Sequence, residues 1–138
     1  MPAKSELSFH LEAWKLICAY KRRDVLALHV PNGERRDRRT AARLKAMGVV
    51  PGVSDFLMVV AGRTHFIELK AATGRLSADQ RVFLADADTA GCQTHVVRSI
   101  GDLACTLNSI SALRVRLTEP VHGGHGAQPD TEGAEALG

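Results

Sequence analysis

Aromatic residues are scarce in this 138-residue chain, which has one Trp, one Tyr and four Phe. The core must therefore be built mainly from Ala, Val, Leu and Ile. No apolar run approaches the ~20 residues that a membrane-spanning helix requires, so no membrane contact is expected. The opening stretch, MPAKSELSFHLEAW, is charged and lacks the apolar centre of a signal peptide. Cysteine is sparse and odd in number: Cys18, Cys92 and Cys105. None sits in a C-x-x-C pair, which argues against a disulfide framework and a thiolate zinc site. Each is expected to serve as a small apolar residue in a reduced compartment. The expected setting is a soluble protein of the cytoplasm. A chain of this length suits one domain and can bury roughly two-thirds of its unfolded surface without covalent staples.

Basic residues exceed acidic ones, 18 to 15, for a net charge of +3. The end of the chain masks a stronger bias. Residues 119–138 hold Glu119, Asp130, Glu132 and Glu135 and no Lys or Arg. Setting those four negative charges aside leaves +7 on residues 1–118. The same stretch is rich in Gly and Pro and lacks aromatics, so it is expected to be a disordered acidic tail. The densest basic stretch holds Arg35, Arg36, Arg38, Arg39, Arg43 and Lys45 against one acid, Asp37. A basic body points to a polyanionic partner. The plainer reading of such a run is a solvated helix face.

Apolar spacing predicts a helix over 5–20, with Leu7, Leu11, Trp14 and Cys18 as its buried stripe and Ser5 as its N-cap. A strand over 25–30 ends in the turn signal Pro31-Asn32-Gly33. A second helix over 36–47 precedes Gly48, placed as a left-handed C-cap. Strands over 53–60 and 63–70 flank the short connection Ala61-Gly62. Ser77-Ala78-Asp79-Gln80 fits a capping box that starts a helix running to about 90. A strand over 93–98 and a helix over 101–113 follow. The order α-β-α-β-β-α-β-α predicts a central mixed sheet flanked by helices.

Chemistry concentrates in Gly52-Val53-Ser54-Asp55 and Phe66-Ile67-Glu68-Leu69-Lys70. Residues two apart in a strand share a face, so Glu68 and Lys70 project together. If Ala61-Gly62 is a two-residue hairpin loop, Val60 pairs with Arg63, and counting back sets Asp55 opposite Glu68. Opposed residues share a face with Cβ atoms roughly 4.5–5.5 Å apart. Two carboxylates so close need a cation between them, or one must hold a proton. Hard oxygen ligands suit Mg²⁺ or Mn²⁺. Such an ion acidifies water and polarises a phosphoryl oxygen, and Lys70 adds a positive charge: a kit for phosphodiester hydrolysis. The structural alternative is a surface Glu–Lys pair worth under ~1 kcal/mol. Against it, both charges interrupt an otherwise apolar strand. His65, three residues from Glu68, belongs on the opposite face and is expected to be packed or exposed.

The motifs HVPNG (29–33), LKAMGVVPGVSD (44–55), FIELK (66–70) and GRLSADQ (74–80) resemble the virus-type replication-repair nuclease domain, a branch of the PD-(D/E)XK nuclease superfamily. The resemblance runs from about Glu6 to Leu107. It implies a restriction-endonuclease-like α/β fold over residues 1–118 and a divalent-metal-dependent DNA endonuclease. It implies that Asp55, Glu68, the Leu69 carbonyl and Glu6 are metal ligands and that Lys70 is the active-site lysine. Gln80 matches a glutamine that places the substrate phosphate or attacking water, although a capping box gives it a structural task too. The superfamily's proline is Ser54 here. A glutamine one turn after the helix-1 acid is His10, which leaves Glu12 as a rival to Glu6. His29 and Asn32 border the same side in the family pattern, but Asn32 reads more simply as a turn residue and both stay outside the catalytic set. The basic stretch and Arg75 are assigned to DNA. Stand-alone members resemble Holliday-junction resolvases, which implies a homodimer acting on branched DNA. The competing readings are a non-catalytic DNA-binding protein on a nuclease-like scaffold and a nuclease for RNA.

Overall fold

The computed structural model describes residues 5–31 and 37–118. Arg35, Arg36 and the expected tail over 119–138 lie outside the described residues. Eight elements follow the expected order: α1 (Glu6–Tyr20), β1 (Leu26–His29), α2 (Arg38–Ala46), β2 (Phe56–Val60), β3 (Arg63–Leu69), α3 (Ala78–Thr89), β4 (Gln93–Val97) and α4 (Ile100–Ser109). The strands form one mixed sheet in the order β1-β2-β3-β4. β1, β2 and β3 pair antiparallel, and β4 joins β3 in parallel after the α3 crossover. A parallel partner needs such a crossover because it must start again from the same end of the sheet.

Alternation along the strands builds two faces. Phe56, Met58 and Ile67 are fully buried on one face beneath Ala13 and Ile17 of α1 and Leu103 and Leu107 of α4. On the other face Phe66 meets Phe83 of α3 edge-on, with ring centroids 4.9 Å apart. The sheet is thus flanked on both sides, the restriction-endonuclease-like arrangement. His65 is buried on the α1/α4 face, its Nδ1 3.0 Å from Nε2 of His95. Among the described residues no helix is long and apolar enough to cross a membrane.

The hairpin register matches the count from its loop: Val60 pairs with Arg63 and Phe56 with Ile67. Ala61 and Gly62 both take positive φ, 49° and 76°, as a tight two-residue hairpin turn requires.

Several expectations are corrected. In α1 only Ala13 and Ile17 are buried, with Phe9, Trp14 and Leu16 half-buried against the core, whereas the expected Leu7 and Leu11 are exposed. This helix is apolar on most sides, so the spacing fits two stripes and packing selects one. Cys18 and Cys105 are exposed, because their neighbours Ile17 and Ala104 take the inward positions. β2 begins at Phe56 rather than at 53. The Asp55 carbonyl accepts from the Val30 amide at 2.9 Å while its side chain turns toward β3. α4 stops at Ser109, since Ser111 takes φ 60°. Residues beyond it leave the helix to bond the end of α1, where the Arg22 amide donates to the Ala112 carbonyl at 2.8 Å.

α2 stands apart. Asp37 caps it, its side chain accepting from the Thr40 amide at 2.7 Å, so it starts at Arg38 rather than at 36. None of its nine residues is buried.

Candidate functional site

An open cleft of about 1200 Å³ lies where the ends of β2, β3 and β4 meet α1, α3 and α4. Asp55, Glu68, Lys70, Gln80 and Glu6 all line it, as does Leu69. The carboxylates of residues 55 and 68 therefore serve one side of the molecule. Arg38, Arg39, Arg43, Lys45 and Arg75 are exposed and do not line it.

Asp55 is fixed at both its backbone and its side chain. Its Oδ2 accepts the Leu69 amide at 2.8 Å, closing the sheet one step beyond the β2 ladder. Its carbonyl lies 2.8 Å from His29 Nδ1. A carbonyl only accepts, so that nitrogen carries the proton.

Glu68 is 4% exposed, an unusual place for a carboxylate. Burial, reinforced by the charge of Asp55 and opposed by Lys70, pushes its pKa up to about 7. Its Oε1 accepts from Gln80 Nε2 at 3.0 Å. Gln80 also closes the capping box of α3. Its Oε1 accepts the Ser77 amide at 2.8 Å, and its own amide donates to Ser77 Oγ at 3.1 Å. One end of the side-chain amide thus caps α3 while the other donates to Glu68.

Gly52 locks this arrangement together. Its φ is +77°, and a Cβ there would lie 2.4 Å from the backbone carbon and oxygen of Asp79. Only glycine lets the segment leading to Asp55 press against the first turn of α3. Beside it, Ser54 is fully buried and its Oγ has no hydrogen-bond partner among the described residues.

Three cleft residues fell outside the sequence-based set. His10 lies on α1 with its Nδ1 4.0 Å from Asp55 Oδ1, and its ring meets His29 edge-on at 4.4 Å. Burial, together with His29, lowers its pKa. Its position one helical turn after Glu6 was the available signal. His29 ends β1 and touches Asp55, and Arg98 follows the end of β4 on the cleft wall. Glu6 and Glu12 both line the cleft. Among the described residues no three His, Cys, Asp or Glu side chains form a metal-binding group, so Glu6 is not drawn in with Asp55 and Glu68.

The donor set that does meet is two carboxylates, one of them raised to a pKa of about 7 partly by the other. A hard divalent cation would relieve that repulsion. Mg²⁺ characteristically binds through one or two carboxylates and keeps several waters, so these residues fit such an ion. They do not form the closed nitrogen–sulfur set that a structural zinc requires.

No protein-family model matches the chain, and no curated protein does either. Among solved structures, one named "VRR_NUC domain protein" is similar, with a TM-score of 0.58 and 19% sequence identity. The match covers 76% of this chain and 89% of that one. The sheet order, the flanking helices and this likeness together give the chain a VRR_NUC-like, restriction-endonuclease-like fold.

Proposed function

We propose that the protein is a divalent-metal-dependent DNA endonuclease that hydrolyses phosphodiester bonds. The observation that carries this reading is Glu68, buried beside the charge of Asp55 in the wall of one cleft that Lys70 also lines. A fold needs no buried carboxylate there, and the cost of holding one suits a site that receives a cation.

Asp55, Glu68 and the Leu69 carbonyl would hold Mg²⁺ or Mn²⁺, and Glu6, which lines the same cleft, is proposed to act through water. When bound, the ion would activate water and polarise the scissile phosphate. Lys70 stabilises the negative charge that grows on the phosphoryl oxygens. Gln80 holds Glu68 by its amide donor while anchoring α3. The Leu69 amide keeps one Asp55 oxygen occupied and so sets the direction of the other.

Arg38, Arg39, Arg43 and Lys45 of α2, with Arg35, Arg36 and Arg75, are proposed to bind the DNA backbone. A nine-residue helix with no buried residue gains little from packing, so a polyanion is a fitting surface for it. Residues 1–118 are proposed as the nuclease unit, and truncation after Thr118 is expected to leave cleavage intact.

Branched DNA is the proposed substrate and a homodimer the proposed working form, since a two-fold axis supplies two sites for two cuts. β1 is an edge strand carrying the exposed Leu26 and Leu28, a surface compatible with a second copy. Monomeric mass by light scattering together with paired junction cuts would refute the dimer.

The deciding experiment is cleavage of a four-way junction, a flap, duplex DNA, single-stranded DNA and RNA with Mg²⁺ or Mn²⁺. Preference for branched DNA is expected. Cutting of RNA alone would move the substrate class, and salt-sensitive DNA binding without any cutting would leave a binding protein on a nuclease-like scaffold.

A further inference from the structure

Resting on the nuclease reading, we infer that Arg98 is a positioning residue that clasps the turn between Lys70 and α3 and thereby sets where Lys70 and Gln80 stand in the cleft. Lys70 and Gln80 come from one stretch of chain. β3 ends at Leu69, the Lys70 amide donates once more across the sheet to the Val97 carbonyl at 2.9 Å, and the chain then leaves the sheet. It turns over Ala71–Gly74, where the Gly74 amide donates to the Ala71 carbonyl at 3.0 Å, and reaches the α3 cap at Ser77. This turn is exposed at Ala71, Ala72 and Thr73, so it buries little apolar surface of its own. Packing alone therefore does not fix it.

Arg98 supplies the missing hold. Its Nη1 donates to the Ala71 carbonyl at 2.8 Å and to the Gly74 carbonyl at 2.7 Å, gripping both ends of the turn. The base of the clasp is itself fixed. The Arg98 amide donates to Asp102 Oδ2 at 3.0 Å, and the Asp102 amide donates to Ser99 Oγ at 3.0 Å at the start of α4. One residue thus couples the β4–α4 corner to the segment bearing two cleft side chains. Among the described residues Arg98 forms no ion pair, so its guanidinium serves the turn rather than a carboxylate. Displacements of about 1 Å cost up to ~100-fold in rate when a reacting group is held from outside the chemistry. A clasp on this turn is therefore a catalytic determinant without touching substrate.

Arg98→Met and Arg98→Lys test the clasp in the full chain. One nitrogen makes both bonds, so a lysine ammonium with three N–H groups can replace it, whereas methionine cannot. In Arg98→Met, hydrogen exchange at the Gly74 and Ser77 amides is expected to speed up about fivefold or more, with Leu103 and Leu107 unchanged. Its single-turnover cleavage of a four-way junction at saturating protein should fall about 20-fold or more, while junction affinity measured in Ca²⁺ stays within about threefold. Arg98→Lys should keep at least about a fifth of the wild-type rate. Unchanged exchange, an unchanged rate, or a lysine variant as slow as the methionine one would overturn the inference. So would a loss carried wholly by weaker binding, which marks a phosphate contact. Exchange does not depend on cleavage. If the wild type cuts no nucleic acid, the nuclease reading fails while the exchange arm still decides whether the clasp exists.

Discussion

Replacing Glu68 by glutamine separates stability from activity. In the folded chain the carboxyl ionises at a pKa of about 7 against an ordinary value of 4.5. Its burial is the largest cause, the charge of Asp55 the second, and Lys70 opposes both. A raised carboxyl pKa favours folding fully below the unfolded value, and that contribution is lost as pH rises through the folded value. The window therefore spans pH 4.5 to about 7, and above it the ionised Glu68 weighs against the fold. At 1.36 kcal/mol per unit, the shift corresponds to about 3 kcal/mol. Glutamine keeps the acceptor for Gln80 Nε2 and carries no charge. In urea unfolding without divalent ions, Glu68→Gln should match the wild type near pH 4 and exceed it by about 3 kcal/mol near pH 8. Adding Mg²⁺ at the higher pH should raise the stability of the wild type and leave the variant unmoved, because binding the ion requires the ionised carboxylate. Equal effects at both pH values, or a variant less stable near pH 8, would refute the reasoning.

Three further outcomes are expected. Gly52→Ala adds a Cβ 2.4 Å from the Asp79 backbone at a φ of +77°, so it should lose about 3 kcal/mol in urea unfolding. Ser54→Ala removes a buried hydroxyl that has no partner among the described residues and should stabilise the chain by about 1 kcal/mol in the same assay. Changing Arg38, Arg39, Arg43 and Lys45 together to Gln should weaken DNA binding across sequences. Each lost phosphate contact should also flatten the slope of log affinity against log salt by about 0.9; an unchanged slope would detach α2 from DNA.

The site was more legible in the sequence than the packing around it. Two residues, Ala61 and Gly62, set the hairpin, and a hairpin register determines the face of every residue along both strands. Asp55 and Glu68 could therefore be brought together by counting. The face of α1 could not, because Leu7 and Leu11 compete with Ala13 and Ile17 for the same sheet and only the fitted core decides between them. The end of α4 was hidden for a related reason. Ile110 continues the helical spacing, yet the left-handed Ser111 diverts the chain to the end of α1. Arg98 and His29 reach the cleft through contacts spanning more than twenty positions, which no local pattern encodes. Gln80 falls between these cases. Its capping role is legible in Ser77-Ala78-Asp79-Gln80, whereas the bond from its Nε2 to Glu68 joins two separate elements and shows only in the fold.

The most direct test is single-turnover cleavage of a four-way DNA junction by the wild type and by Asp55→Asn and Lys70→Ala, each with Mg²⁺ or Mn²⁺ and with a chelator. Cutting by the wild type only with the metal, lost in both variants while junction binding persists, is the predicted result. Cutting that survives the chelator, or either substitution, would contradict a hydrolytic centre built on these residues.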